Sequence, residues 1–104
     1  MKTVFHFNDL DQIKFIQSNL KNILVHPVEK VVVLINGPAI NLCLDSKVKL
    51  HFDDNRFLIL ACKNSMNSNG ISEDMLYPGV EIVESGVYTL TQLQVQENYA
   101  YIKP

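Results

Sequence analysis

Between Lys30 and Asn36 the chain reads KVVVLIN, five aliphatic residues in unbroken succession. A strand with one wet face alternates apolar and polar residues, whereas a strand apolar at every position is covered on both faces. Parallel sheets supply that double cover, because each crossover lays a helix against one face or the other. RFLILAC, from Arg56 to Cys62, repeats the pattern. These two runs constrain the chain to an α/β fold with a buried, mostly parallel sheet.

The intervening segments supply the helices. TVFHFN (Thr3 to Asn8) is β-branched and aromatic, and stops at Asn8-Asp9. Asp9 is placed to cap a helix, with Gln12 three residues on in the capping-box position. Ile13, Ile16, Leu20, Ile23 and Leu24 then recur at helical spacing, and Pro27 closes the helix. After KVVVLIN, Asn36-Gly37-Pro38 is a turn signal that also suits a helix start, and Ala39 to Leu44 reads as a short helix. Asp45 to Asn55 reads as a helix fragment plus loop. Beyond the third strand, Asn64 to Gly70 reads as a helical turn or two ended by Gly70. A further turn is expected within Ile71 to Leu76. VEIVES (Val80 to Ser85) is a fourth strand. Ser85-Gly86 starts a helix through about Glu97 carrying Val87, Leu90 and Leu93, and YAYIKP adds a short fifth strand. Strand–helix alternation of this kind predicts a three-layer α/β/α sandwich with about five mostly parallel strands in an open sheet.

At 104 residues, with no repeat or linker, the chain is one domain, 1–104. A formal net charge of −2, with eight lysines and the lone Arg56 scattered, gives no electrostatic footprint for nucleic acid. No apolar run approaches the roughly 20 residues needed to cross a bilayer. MKTVFHFND has no extended apolar region, so no signal peptide is read there. Cys43 and Cys62 do not make a disulfide scaffold, and the expected setting is reducing and cytoplasmic.

In a parallel sheet all strand-to-helix turns gather on one edge, where ligands and chemistry are found. That edge collects Asn8-Asp9, the Asn36, Gly37, Pro38, Ala39 turn, the Cys62, Lys63, Asn64, Ser65 seam, and Ser85-Gly86. Cys62 stands where a buried strand gives way to polar residues. A helix starting just after it aims backbone N–H groups at the sulfur, and Lys63 adds positive charge; both favour the thiolate, the nucleophilic form. Asn64 and Ser65 are short polar groups able to hydrogen-bond a sulfur. The competing reading is that Cys62 packs, as cysteines often do. Cys43, among Ile40, Leu42 and Leu44, reads as core. His6, His26 and His51 show no metal-ligand spacing and read as structural or exposed. The pair Tyr99 and Tyr101 reads as core or subunit contact.

Several thiol chemistries lack their parts. No C-x-x-C pair exists, no arginine follows Cys62 to close a phosphatase loop, and no histidine is marked as a protease base. Four dispersed glycines form no phosphate loop, so neither a cofactor nor a metal is implied.

In order, HFND, VVVLINGPAI, ACKNSMNSNGI, GVEIVESGV and YAYIKP resemble DsrE/DsrF-like proteins, specifically their small single-domain, uncharacterised members. The resemblance spans nearly the whole chain. It implies a five-stranded α/β/α domain that assembles with itself into homotrimers or hexamers, with sites near subunit contacts. It further implies that Cys62, matching the cysteine after the third strand, carries a persulfide sulfur between donor and acceptor proteins. The expected function is therefore a sulfur carrier using Cys62, with Asn8, Asn36, Gly37, Pro38, Ala39, Lys63, Asn64 and Ser65 shaping the substrate site. The alternative is a non-catalytic oligomeric module that binds a small ligand or partner, with Cys62 as lining.

Overall fold

The computed structural model describes residues 1–44, 50 and 52–104. Five strands, β1 (Lys2–Phe7), β2 (Lys30–Ile35), β3 (Phe57–Cys62), β4 (Val80–Val83) and β5 (Tyr99–Ile102), form one sheet in the order β4-β3-β2-β1-β5. Every pairing is parallel. The unbroken apolar runs are the central strands, as their double burial requires. Odd-numbered Val31, Val33 and Ile35 of β2 face one apolar cluster, and Val32 and Leu34 face another.

The first cluster lies beneath α1 (Ile13–Leu24), a 3-10 segment (Gly37–Cys43) and α2 (Lys63–Ser68). Ile16 and Leu20 of α1 are fully buried there, with Ile13, Ile23 and Leu24 packed at its margin. The second cluster is covered by α3 (Gly86–Glu97), through Leu90 and Leu93. Helices on both faces of an all-parallel sheet make the three-layer α/β/α sandwich.

Local chemistry sets the boundaries. Asp9 and Gln12 form the capping box, but the turn it opens, Leu10–Gln12, is 3-10 and α1 proper begins at Ile13. α1 stops at Leu24, where Arg56 donates to the carbonyls of Leu24, His26 and Val28. The expected helix from Ala39 to Leu44 is instead 3-10 and starts at Gly37. Ala39, Ile40, Leu42 and Cys43 are all buried there, so the segment presents consecutive residues to the core rather than a 3.6-residue stripe. The helix fragment expected within Asp45 to Asn55 falls largely on residues 45–49 and 51, outside the described residues, and 52–55 are not helical. α2 begins at Lys63, one residue earlier than the sequence suggested, and the turn within Ile71 to Leu76 is 3-10, Glu73–Met75. α3 is capped by the Ser85 hydroxyl, which accepts from the Tyr88 N–H. Its inward face is Gly86, Leu90 and Leu93; Val87 points outward and is 66% exposed. Gly86 decides this rotation, because its missing side chain lets the helix start lie against Leu34 and Cys62. No helix among the described residues is long and apolar enough to cross a membrane.

Candidate functional site

The strand ends and the turns that follow them meet at the expected edge. Cys62 is the last residue of β3 and pairs in register with Val83, so its side chain is on the α3 face. It belongs to neither apolar cluster, although only 5% of its surface is exposed. The Gly86 N–H donates to Cys62 Sγ at 3.3 Å. Burial pushes the thiol up, but the N–H and hydroxyl of Ser65 and the N–H groups of Gly86 and Asn64 outweigh it. The result is a thiol held below its ordinary value. Cys43, enclosed in the first cluster without such donors, is pushed by burial up to about 12. Both cysteines are free.

Ser65 binds two segments together. Its Oγ accepts the Gly37 N–H at 2.8 Å, which joins the turn after β2 to the first turn of α2. Gly37 has φ +57°, in the left-handed region, and a Cβ there would stand 3.2 Å from the Asn8 carbonyl oxygen. Glycine is required on both counts. Asn36, Gly37, Ser65 and Cys62 are thus brought together. Asn8 lies on the far side of Gly37, its backbone N–H donating to Gln12 Oε1 and its Oδ1 accepting from Lys103 Nζ at 2.6 Å.

Other expected residues are placed differently. The Lys63 ammonium lies 4.0 Å from the Glu84 carboxylate, and the groups that lower the Cys62 thiol are hydrogen-bond donors rather than this charge. Asn64 contributes its backbone N–H while its side chain is exposed. Ala39 is fully buried in the first cluster, and Pro38 is exposed at the start of the 3-10 segment.

Sequence reasoning missed a string of polar groups on the same edge. Tyr101 OH lies 2.6 Å from His6 Nδ1, and His6 Nε2 lies 2.8 Å from Asn36 Oδ1. Burial lowers the His6 pKa, the Asn36 contact opposes the shift, and the Lys103 ammonium adds to it. The period-2 alternation of TVFHFN places His6 on the face of Val4. The position of β5 beside β1, which brings Tyr101 to His6, has no local sequence signal.

No protein-family model and no curated protein matches the chain. Solved structures similar to it in fold include two proteins. MTH1491 from Methanobacterium thermoautotrophicum, a protein of unknown function, superposes with a TM-score of 0.88 at 24% identity, covering 99% of this chain and 98% of that one. The ychN protein from E. coli gives a TM-score of 0.68 at 15% identity over the whole of both chains. The α/β architecture is shared with both.

Proposed function

We propose that the chain is a cytoplasmic sulfur carrier in which Cys62 accepts and passes on a persulfide sulfur, the role implied by its resemblance to DsrE/DsrF-like proteins. The observation that carries the reading is the Gly86 N–H donated to Cys62 Sγ at 3.3 Å, at a thiol held below its ordinary value. Such a donor favours an anionic sulfur, as nucleophile and as leaving group. In the transfer, the Cys62 thiolate attacks the outer sulfur of a donor persulfide, R–S–SH. The donor S–S bond breaks, R–S⁻ leaves, and Cys62–S–SH forms with no net oxidation. Attack by an acceptor thiolate on the outer sulfur regenerates the Cys62 thiolate.

Self-assembly into a homotrimer or hexamer belongs to the same proposal. Val87, Tyr88 and Val95 on the outward side of α3 are each well exposed, as a covered helix face in an oligomer would leave them in a lone chain. Sedimentation of the purified protein measures the assembly, and a monomer at micromolar concentration removes this part.

The second reading, a ligand-binding or interaction module lined by Cys62, draws on the low exposure of that residue. Incubation with a low-molecular-weight persulfide separates the two. The carrier reading expects a gain of one sulfur mass on the Cys62 peptide, retained in Cys43→Ser and lost in Cys62→Ser. Equal loading of Cys62→Ser and the unsubstituted protein, or no loading of either, sinks it.

A further inference from the structure

The dipeptide Asn-Gly occurs twice in the chain, at Asn36-Gly37 and at Asn69-Gly70. In this pair the asparagine side chain is most open to attack by the backbone nitrogen that follows, because glycine puts no side chain in the way. By sequence the two pairs are equivalent; the fold separates them. At the first, the Gly37 N–H donates to Ser65 Oγ at 2.8 Å, and Asn36 Oδ1 lies 2.8 Å from His6 Nε2. The nitrogen that would attack and the amide it would attack are each engaged by another element, and both residues are half-buried. At the second, Asn67, Ser68, Asn69 and Gly70 are exposed in succession at the end of the six-residue α2. The Gly70 N–H donates to the Asn67 carbonyl at 3.3 Å, and Asn69 Nδ2 to the Ser65 carbonyl at 2.8 Å. Both acceptors belong to the same short helix, and water replaces such exposed contacts at little cost. Gly70 stands in open space, with nothing within 4 Å of the point a Cβ would occupy.

We propose that Asn69 is a site of spontaneous deamidation in the folded protein, and that the fold protects Asn36 from the same reaction. The Gly70 backbone nitrogen gives up its proton to solvent base and attacks Asn69 Cγ. The Cγ–Nδ2 bond breaks, ammonia leaves, and a cyclic imide closes. Water then opens the imide at either carbonyl, leaving aspartate or isoaspartate at position 69; nothing is oxidised or reduced. Ring closure turns the Asn69–Gly70 peptide, which breaks the 3.3 Å contact to Asn67 and frees Nδ2 from Ser65. The exposed end of a short helix frays that far without disturbing the sheet. At Asn36 the same closure pulls Gly37 off Ser65 and uncouples the turn after β2 from α2. The product also acts on α2. A carboxylate cannot donate to the Ser65 carbonyl. It also brings negative charge to the helix end, where the Asn69 N–H meets the carbonyls of Ser65 and Met66. Deamidation therefore weakens the last turn of α2.

The test holds the full chain warm at mildly alkaline pH in heavy-oxygen water for several days, then digests it at acidic pH. Mass spectrometry reads oxygen uptake on the peptides that carry Asn36 and Asn69. In the folded protein Asn69 is expected to convert at least about ten-fold faster than Asn36. In guanidinium chloride the two are expected to convert within about two-fold of each other, since the contacts that separate them are gone. Asn69→Gln lengthens the side chain, closes the imide far more slowly, and is expected to abolish uptake on that peptide. The proposal is overturned if the folded protein converts both sites equally or Asn36 faster, or if folded Asn69 stays intact while the unfolded chain converts. It is also overturned if the unfolded chain keeps the folded ratio, which would assign the preference to sequence alone. Uptake that persists in Asn69→Gln places the reaction at Asn67 and overturns it as well. Asn69→Asp, the direct product, is expected to melt at a lower temperature than the unsubstituted protein, and an equal temperature overturns the stated effect on α2.

Discussion

Gly86 donates its N–H to Cys62 Sγ at 3.3 Å across a separation of 24 residues, joining the end of β3 to the first residue of α3. The contact is made by a residue whose φ is ordinary; glycine is needed there for space. A Cβ would meet Leu34 Cδ2 at 3.1 Å, Cys62 Cβ at 3.3 Å and Asn36 Nδ2 at 3.4 Å.

Gly86→Ala therefore forces α3 outward by a few tenths of an ångström. Overpacking of this kind costs about 1–3 kcal/mol, and the displaced N–H weakens its hold on the sulfur. The expected outcome is a lower melting temperature together with slower alkylation of Cys62 at neutral pH. Unchanged alkylation would show that this N–H does not tune the thiol.

Ser65→Ala removes the acceptor of the Gly37 N–H and a hydroxyl donor to Cys62 in one step. Leaving the amide unpartnered costs about 1–3 kcal/mol. The Cys62 thiol is expected to titrate at higher pH than in the unsubstituted protein, and Ser65→Thr, which keeps the hydroxyl, to restore most of the difference. Cysteine alkylation against pH checks both.

His6 gives the fold a pH dependence of definite sign. Burial disfavours its imidazolium, the Asn36 contact partly opposes this, and Lys103 repels the charge, so the folded chain binds the proton less readily than the unfolded one. The stability from neutral His6 is full above its unfolded value of 6.5 and declines as pH falls through that value toward the lower folded one. Thermal melts between about pH 7.5 and 5 should show a smaller loss for His6→Gln than for the unsubstituted protein. Identical losses would refute the assignment.

Arg56 joins a carboxylate to the end of α1. It holds Asp54 at about 2, through side-chain and backbone hydrogen bonds that outweigh burial, while its other nitrogens reach the carbonyls of Leu24, His26 and Val28. The stability from ionised Asp54 is full above its unfolded value of 3.8 and is lost as pH falls toward about 2. Arg56→Lys keeps the charge but not the planar fork, and one ammonium cannot span the same acceptors. It is expected to lower the melting temperature and to flatten the loss of stability between those two pH values. Melts of both proteins across that range check the pair.

The architecture was legible because it follows from short-range patterns. KVVVLIN and RFLILAC declare double burial by having no polar position. Asp9 with Gln12 declares a helix start, and the spacing from Ile13 to Leu24 declares its buried face. Each signal lies within a dozen residues and needs no partner to be read. Where the local signal was ambiguous, at Ala39 to Leu44 and at Val87, the surrounding packing decided the outcome: consecutive burial drew out a 3-10 segment, and the close approach at Gly86 turned Val87 to solvent.

What the sequence by itself determined is the α/β class and the placing of Cys62 at the end of a central strand, since both depend on hydrophobic periodicity along the chain. What only the tertiary structure decided is which groups surround that sulfur. Lys63, next to Cys62 in the chain, turns to Glu84, while Gly86 arrives from the start of α3, and elsewhere on the same edge Tyr101, His6 and Asn36 meet from three separate segments. Their meeting depends on strand order: β5 returns beside β1, and α3 packs on the face that Cys62 occupies. Strand order is set by the free energy of burying whole faces against one another, a property of the assembled chain that no local run of residues carries.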